Sequence, residues 1–187
     1  MNRLGHIAVS FVGRQNAVAY LNSAVFSRPL KAHITHIFPT IFERHFPRCI
    51  PDPVFRLAAA ARKHLSVSGA PAELEGVRQL IYEVAYNLGD NAIKYNIDGG
   101  SVSINVSSDG KNAKLTVSDT GIGIAAEDQS RIFERFYRVD KSHSKESGGT
   151  GLGLSIVKHA VQYHGGRISM DSAPGKGTSI SVSLPIQ

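Results

Sequence analysis

The chain has 187 residues, of which 42% are hydrophobic, and a formal net charge of +6. This length is enough for one good hydrophobic core, and the sequence has no run of 18 apolar residues that would predict a membrane-spanning helix. A single cysteine, Cys49, excludes an intramolecular disulfide and fits a reducing compartment.

The positive charge is concentrated in residues 1–66, which hold nine Lys or Arg against two Asp or Glu. The remaining residues have a net charge of −1. That larger part has no basic patch interleaved with aromatic residues, the pattern typical of proteins that stack nucleic acid bases. The sequence therefore argues against a nucleic-acid partner.

Residues 1–55 are basic, and five of the eight prolines fall within residues 29–53. Proline inside a helix costs about 3 kcal/mol and restricts the residue before it. We therefore expect an irregular segment here, with a short apolar helix near residues 15–27, and regular structure from residue 54 onward.

Hydrophobic periodicity predicts the remaining elements. The clearest is a helix over residues 72–96, with Pro71 at its entry. In chain order we predict a helix at 54–63, a strand at 64–68, the helix at 72–96, strands at 101–107 and 111–118, a short helix at 127–133, a helix at 152–164, and strands around 168–170 and 180–184. This order predicts an α/β (α+β) two-layer sandwich: a mixed β-sheet of about five strands with three helices on one face.

Two glycine clusters, at residues 119–124 (DTGIGI) and 148–154 (GGTGLGL), lie on either side of a polar, charged segment. Glycine lets a backbone approach a ligand closely or adopt positive φ. Together the clusters indicate a nucleotide pocket with a mobile cover.

The helix before these clusters has a polar stripe formed by Glu83, Asn87, Asn91 and Lys94, within roughly ±40° at about 100° per residue. Such a stripe is often only the solvated side of a helix, but asparagine is a poor helix former. Two asparagines one turn apart, followed by a lysine, suggest oxygen ligands for a hard cation such as magnesium and a contact to phosphate.

Five segments carry a family resemblance. Residues 87–95 (NLGDNAIKY) resemble the N box of sensor histidine kinases, members of the GHKL (gyrase, Hsp90, histidine kinase, MutL) ATP-binding superfamily. The others resemble the family's first glycine box, F box, second glycine box and last glycine motif, in the family's order: residues 119–124, 132–138, 149–154 and 175–178. The resemblance covers about residues 60–187 and implies the Bergerat ATP-binding fold. It also implies a histidine kinase-like catalytic domain at 56–187, preceded by an unassigned region at 1–55.

The resemblance implies a role for each matching residue. Asn91 would ligate magnesium with help from Asn87, Lys94 would meet the phosphates, and Tyr95 would lie against the adenine. Asp119 would accept a hydrogen bond from the adenine amino group.

The glycine boxes and the F box would complete the site. Gly121 and Gly123 would let the chain turn beside the base, and Gly151 and Gly153 would present backbone N–H groups to an anion at a helix start. Arg138, with Arg135 as the second candidate, would reach the phosphates from a lid at residues 139–149. The remaining predicted nucleotide contacts are Ile124, Thr150, Leu152, Leu154 and Thr178. For Phe133, Phe136 and Tyr137, core packing and fixing the base of the lid both remain open.

The implied function is transfer of the γ-phosphoryl group of ATP, with magnesium, to a histidine on a separate dimerisation hairpin, for relay to a response regulator. Asn91, Lys94 and Arg138 would be the catalytic residues. We expect a cytoplasmic domain without membrane insertion of its own. Neither His33 nor His36 has the acidic neighbour expected of a phosphoacceptor, so the acceptor is expected elsewhere.

Two alternatives stay open: a non-catalytic nucleotide-binding or partner-sequestering module, and a serine kinase of the anti-sigma type. ATP-hydrolysing members of the superfamily and the anti-sigma kinases have a glutamate where this chain has Asn87. An amide cannot accept a proton at neutral pH, so we expect slow intrinsic hydrolysis. A dinucleotide-binding reading of residues 121–126 with Asp140 is disfavoured because no βαβ alternation follows.

Overall fold

The computed structural model describes residues 52–70, 72, 74–139 and 150–186. Its elements are α1 (Asp52–Ala60), β1 (His64–Gly69), α2 (Arg78–Lys94), β2 (Ser101–Ser108), β3 (Asn112–Asp119), α3 (Ala126–Gln129), α4 (Gly153–Tyr163), β4 (Arg167–Ser172) and β5 (Thr178–Pro185). Predictions for residues 1–51, and for the predicted lid at 139–149 apart from Val139, lie outside the described residues. None of the helices in the described part is long and apolar enough to cross a membrane.

The five strands form one mixed sheet in the order β1-β2-β3-β5-β4. β1 and β2 are parallel, and the other neighbours are antiparallel. In the β3–β5 register, Asp119 lies opposite Thr178. Two of the predicted motifs, far apart in sequence, therefore meet at the same end of the central strands.

One face of the sheet supplies the core. The alternating apolar residues of β2 and β3 are all buried there, including Ile104 and Leu115 at 1% and 0% exposure. Residues of α1, α2 and α4 belong to the same core, so these three helices cover that face. The predicted two-layer α/β architecture is confirmed.

The other face of the central strands is lined by hydroxyl groups. Thr116 and Ser181 hydrogen-bond across β3 and β5 at 2.9 Å, and Ser118 and Ser179 do so at 2.8 Å. Small polar residues alternate with apolar ones because only one face of an antiparallel pair packs against the helices.

The helix predicted for residues 72–96 is shorter than expected, since α2 begins at Arg78. Ala72 and Leu74 are not helical, and both are buried in the core. The entry of α2 is fixed instead by His164: its Nε2 accepts a hydrogen bond from the Val77 N–H at 3.0 Å. His164 was expected only to end a helix, and it is indeed the C-cap residue of α4.

The short helix predicted for residues 127–133 is a single turn, α3, followed by further turns. The first helix begins earlier than predicted, at Asp52. The predicted boundary between residues 55 and 56 therefore falls inside α1 and remains a prediction.

Candidate nucleotide-binding site

A cavity of about 550 Å³ lies beside α2, the ends of β3 and β5, and the start of α4. Most of the predicted site residues line it: Asn87, Asn91, Lys94, Tyr95, Asp119, Gly123, Ile124, Arg138, Thr150, Gly151, Gly153, Leu154 and Thr178.

Three predicted residues do not line the cavity. Gly121 supports it from behind, because a Cβ on Gly121 would lie 2.2 Å from the carbonyl oxygen of Tyr95. Leu152 is the N-cap residue of α4, and its carbonyl accepts a hydrogen bond from Ser155 Oγ. Arg135 is exposed.

The orientation of Asn87 is set by its neighbour one turn earlier. Asn87 Nδ2 donates to the Glu83 carbonyl oxygen at 2.8 Å and to Glu83 Oε2 at 3.3 Å. The amide nitrogen is therefore engaged within α2, which leaves Oδ1 as the atom available to a ligand. A Cβ on Gly153 would lie 2.8 Å from that Oδ1, so the start of α4 lies close to the Asn87 side chain, which would have to shift for any larger residue.

Glu83 itself is a carboxylate outside the cavity. Its Oε1 accepts a hydrogen bond from Gln79 and its Oε2 one from Asn87. It therefore orients the amide of Asn87 and is not placed to take a proton from anything in the cavity.

Asp119 ends β3 with an asymmetric set of hydrogen bonds. Its Oδ1 accepts from the Gly121 N–H at 2.8 Å and from the Thr178 N–H at 3.2 Å. Burial raises the pKa of this carboxyl, and the two N–H bonds oppose that rise. Because both bonds end on Oδ1, Oδ2 is the oxygen left to receive a hydrogen bond from a ligand.

The first glycine box is wedged against the β4–β5 turn. Gly123 has φ +70°, and a Cβ there would lie 1.9 Å from the Ala173 carbonyl oxygen. The Ile122 carbonyl accepts a 2.7 Å hydrogen bond from the Gly175 N–H. The loop between β3 and α3 is thus fixed against the β4–β5 turn.

The residues on either side of the predicted lid are tied together. The Phe136 N–H donates to the Gly151 carbonyl at 2.9 Å. Tyr137 donates its hydroxyl to Asp128 at 2.5 Å, and the Arg131 guanidinium lies 4.3 Å from the centre of its ring. That bond to Asp128 is the main cause of a raised pKa of Tyr137.

The structure separates the three aromatic residues whose roles were open. Phe136 is 72% exposed at φ +64°, so it does not pack in the core. Tyr137 lines the cavity and fixes the chain next to the predicted lid. Phe133 is half-buried.

Several residues line the cavity but were not among the predicted nucleotide contacts: Asp90, Asn96, Ile122, Ile132, Tyr137 and Val139, together with some core residues. Asp90 and Asn96 adjoin predicted site residues in the sequence, and this adjacency was the available signal. The apolar ones looked like ordinary core or loop residues, since a hydrophobic cavity wall has no sequence pattern of its own.

Together, the fold and the cavity define a nucleotide-binding α/β domain. The sequence matches the family described as histidine kinase-, DNA gyrase B-, and HSP90-like ATPases over residues 76–187, and the chain belongs to this family. Its relatives show that it is an ATP-binding domain of the sensor histidine kinase type.

The chain is 48% identical over 110 residues to the sensor-like histidine kinase SenX3 of Mycolicibacterium smegmatis, a match covering 59% of this chain and 29% of SenX3. It is 49% identical over 107 residues to the sensor histidine kinase WalK of Bacillus subtilis, covering 56% of this chain and 18% of WalK. Among solved structures, the mycobacterial sensor histidine kinase MprB superposes with a TM-score of 0.67 at 30% identity, covering 78% of this chain and 97% of that one. The matches thus span less than a third of the length of these two curated relatives.

Proposed function

We propose that this chain binds ATP with magnesium in the cavity and positions the γ-phosphoryl group for transfer to a histidine on a separate dimerisation hairpin, for relay to a response regulator. The observation that carries the proposal is that one cavity is lined by Asp119, by the two amides of α2 and by Lys94. The matched relatives include sensor histidine kinases. The single cysteine of the sequence agrees with a proposed cytoplasmic location.

At the base end, Asp119 Oδ2 would accept a hydrogen bond from the adenine amino group. The carboxylate is held in place beforehand by the Gly121 and Thr178 N–H groups on its other oxygen. A group fixed in this way loses little freedom when the ligand arrives. Tyr95, 42% exposed, lines the cavity and would lie against the adenine.

At the phosphate end, the donor set fits magnesium. The amide oxygens of Asn87 and Asn91 are hard ligands, and a cation that keeps several waters and bridges phosphates needs few protein ligands. When bound, the ion would offset the negative charge of the phosphates.

The chain's own residues would position the phosphates. Lys94 and Arg138 line the cavity and would offset the negative charge of the phosphates. Gly151 and Gly153 lie where α4 begins, and the free N–H groups of a helix start attract anions.

The proton chemistry favours a histidine acceptor over a serine. Asn87 cannot take a proton from a hydroxyl or from water, and Glu83 lies outside the cavity with both oxygens hydrogen-bonded. Imidazole is already nucleophilic at neutral pH and needs no such base. We therefore propose slow ATP hydrolysis and no serine kinase activity.

The proposal is tested by incubating the chain with γ-labelled ATP and magnesium, with and without an acceptor hairpin taken from a related sensor kinase. We expect acid-labile label on the hairpin and none on the chain itself. Asn91→Asp should abolish the transfer, because a carboxylate at this position changes the charge of the cation site.

Other outcomes point to other functions. Nucleotide binding without transfer to any hairpin would favour the non-catalytic module. Acid-stable label on a protein substrate would favour a serine kinase.

A further inference from the structure

Ser172, the last residue of β4, makes three hydrogen bonds through one hydroxyl group. Its Oγ accepts from the Ile124 N–H at 2.9 Å, donates to the Gly177 carbonyl at 2.9 Å, and lies 2.9 Å from Thr178 Oγ1. Ser172 does not line the cavity, whereas Thr178 and Ile124 do.

The direction of the Ser172–Thr178 hydrogen bond follows from counting protons. A serine hydroxyl has one proton and two lone pairs. The Gly177 carbonyl can only accept, so it takes the proton of Ser172, and the Ile124 N–H occupies one lone pair. The hydroxyl of Thr178 must therefore donate to the second lone pair of Ser172.

The consequence lies at the base end of the cavity. With its proton committed to Ser172, Thr178 Oγ1 has only lone pairs left for any other partner. Its neighbour across the β3–β5 register is Asp119, whose Oδ2 also offers only lone pairs when ionised. Both side chains therefore accept hydrogen bonds at this end and neither donates one.

We propose that Ser172 is a specificity-determining residue. By holding the proton of Thr178, it makes the base end of the cavity select a purine with an amino group at C6 (adenine) over a purine with an oxo group at C6 (guanine). An exocyclic amino group donates hydrogen bonds and satisfies these acceptors. An oxo group at the same place brings a further set of lone pairs against them, and unpaired buried polar groups are costly. Ser172 acts through Thr178 and is a positioning residue. The inference rests on the proposed binding of a nucleotide in this cavity.

The test is calorimetric titration of the whole chain with ADP and with GDP in the presence of magnesium. Ser172→Ala frees the Thr178 hydroxyl to turn its proton toward an oxo group. We expect the preference for ADP over GDP to narrow by about tenfold, the worth of one hydrogen bond. Ser169→Ala is the matched control, because Ser169 lies on the same strand, is exposed, and should leave the preference unchanged.

A purely structural role for Ser172 gives a different result. Loosening of Ile124 and Gly177 would weaken the binding of ADP and GDP equally, and the ratio of the two affinities would stay as in the parent. The double variant Ser172→Ala, Thr178→Val has no hydroxyl to donate, so its preference should be intermediate between those of the parent and Ser172→Ala. If Ser172→Ala does not fold, Ser172→Cys keeps the side-chain volume with a weak acceptor and should shift the ratio in the same direction.

The outcomes separate this inference from the proposed function. If the parent binds ADP and Ser172→Ala leaves the ratio within about twofold, the inference is overturned and nucleotide binding stands. A parent that binds GDP as tightly as ADP overturns it as well. A parent that binds neither nucleotide overturns both.

Discussion

The ionised form of the Asp119 side chain is less favourable in the folded protein than in water, because burial disfavours its charge. The same charge is what a donor on the base would bind. If Asp119 has the proposed role, the protein loses some stability without ligand in order to present this carboxylate, a common trade at binding sites.

The raised pKa of Asp119 makes the stability of the folded protein depend on pH in a definite direction. Because the pKa of Asp119 is raised above its ordinary value of 3.8, the folded state holds more protons than the unfolded state from that value up through the raised pKa. Over that window the contribution of Asp119 to stability falls as pH rises. Nucleotide affinity rises over the same window, since the carboxylate forms.

Asp119→Asn should remove both effects. At neutral pH we expect adenine nucleotide affinity to fall at least about tenfold, the equivalent of about 1.4 kcal/mol, because an amide N–H would face the amino group. Stability without ligand should be unchanged or higher, measured by urea unfolding across the acidic range. Asp109→Asn, at an exposed turn, is the control and should leave affinity unchanged. Parental affinity in Asp119→Asn would contradict the assigned role.

Residues with a chemical reason in their own motif could be predicted, and residues that act through others could not. Asn87 and Asn91 stand out because asparagine is a poor helix former, and Asp119 stands out because it is an acid at the end of a strand, where a glycine box begins. Ser172 is one of many serines in the strands, and its role depends on a contact to Ile124, 48 positions away. Nothing local in the sequence distinguishes it.

The loop after β3 is held by the shape of its backbone as much as by hydrogen bonds. Gly123 combines positive φ with a backbone carbonyl, that of Ala173, where a side chain would be. The glycine is therefore needed for the packing between the β3–α3 loop and the β4–β5 turn.

Two glycine substitutions separate these contributions. Gly123→Ala and Gly110→Ala both place a side chain at positive φ, +70° and +82° respectively, but nothing lies within 4 Å of a Cβ on Gly110. A residue other than glycine at such φ costs roughly 1–2 kcal/mol. We expect Gly110→Ala to lose about that much, and Gly123→Ala to lose clearly more together with nucleotide affinity. Equal loss of stability in both, by urea unfolding, would mean that the loop can move away from Ala173.

At the scale of elements, periodicity located the strands well and the helix ends poorly. The strands β2 and β3 alternate strictly, and a single buried face makes that pattern unambiguous. The start of α2 was missed because Ala72 and Leu74 are apolar and fit either a helix or a buried non-helical chain. The contact that fixes the start, between Val77 and His164, joins residues 87 positions apart.

In the whole molecule, α1 belongs to the core that supports the cavity. Val54 is fully buried, and a Cβ on Gly89 would lie 2.8 Å from its Cγ1, so α1 packs directly on the backbone of α2. The predicted domain boundary after residue 55 would cut this helix and remove Val54.

Two shortened chains test where the domain begins. A chain of residues 52–187 should keep the stability and nucleotide affinity of the parent. A chain of residues 56–187 should be less stable by about 1.5–3 kcal/mol, the worth of one buried valine side chain, as measured by urea unfolding. Equal stability of the two would support the boundary predicted from the sequence.

The overall architecture followed from the order of the elements, but the neighbours in the sheet did not. β3 pairs with β5, and Asp119 with Thr178 across 59 residues, which no local pattern reports. The resemblance to a known family implied the complete fold, which periodicity alone could not predict.

The pairing of β3 with β5 also determines when, during translation of the chain, the cavity can first bind a ligand. The proposed base-binding end of the cavity needs both Asp119 of β3 and Thr178 of β5, so it cannot form until β5 has been synthesised. A prematurely terminated product lacking β5 would therefore have no complete site with which to compete for the nucleotide.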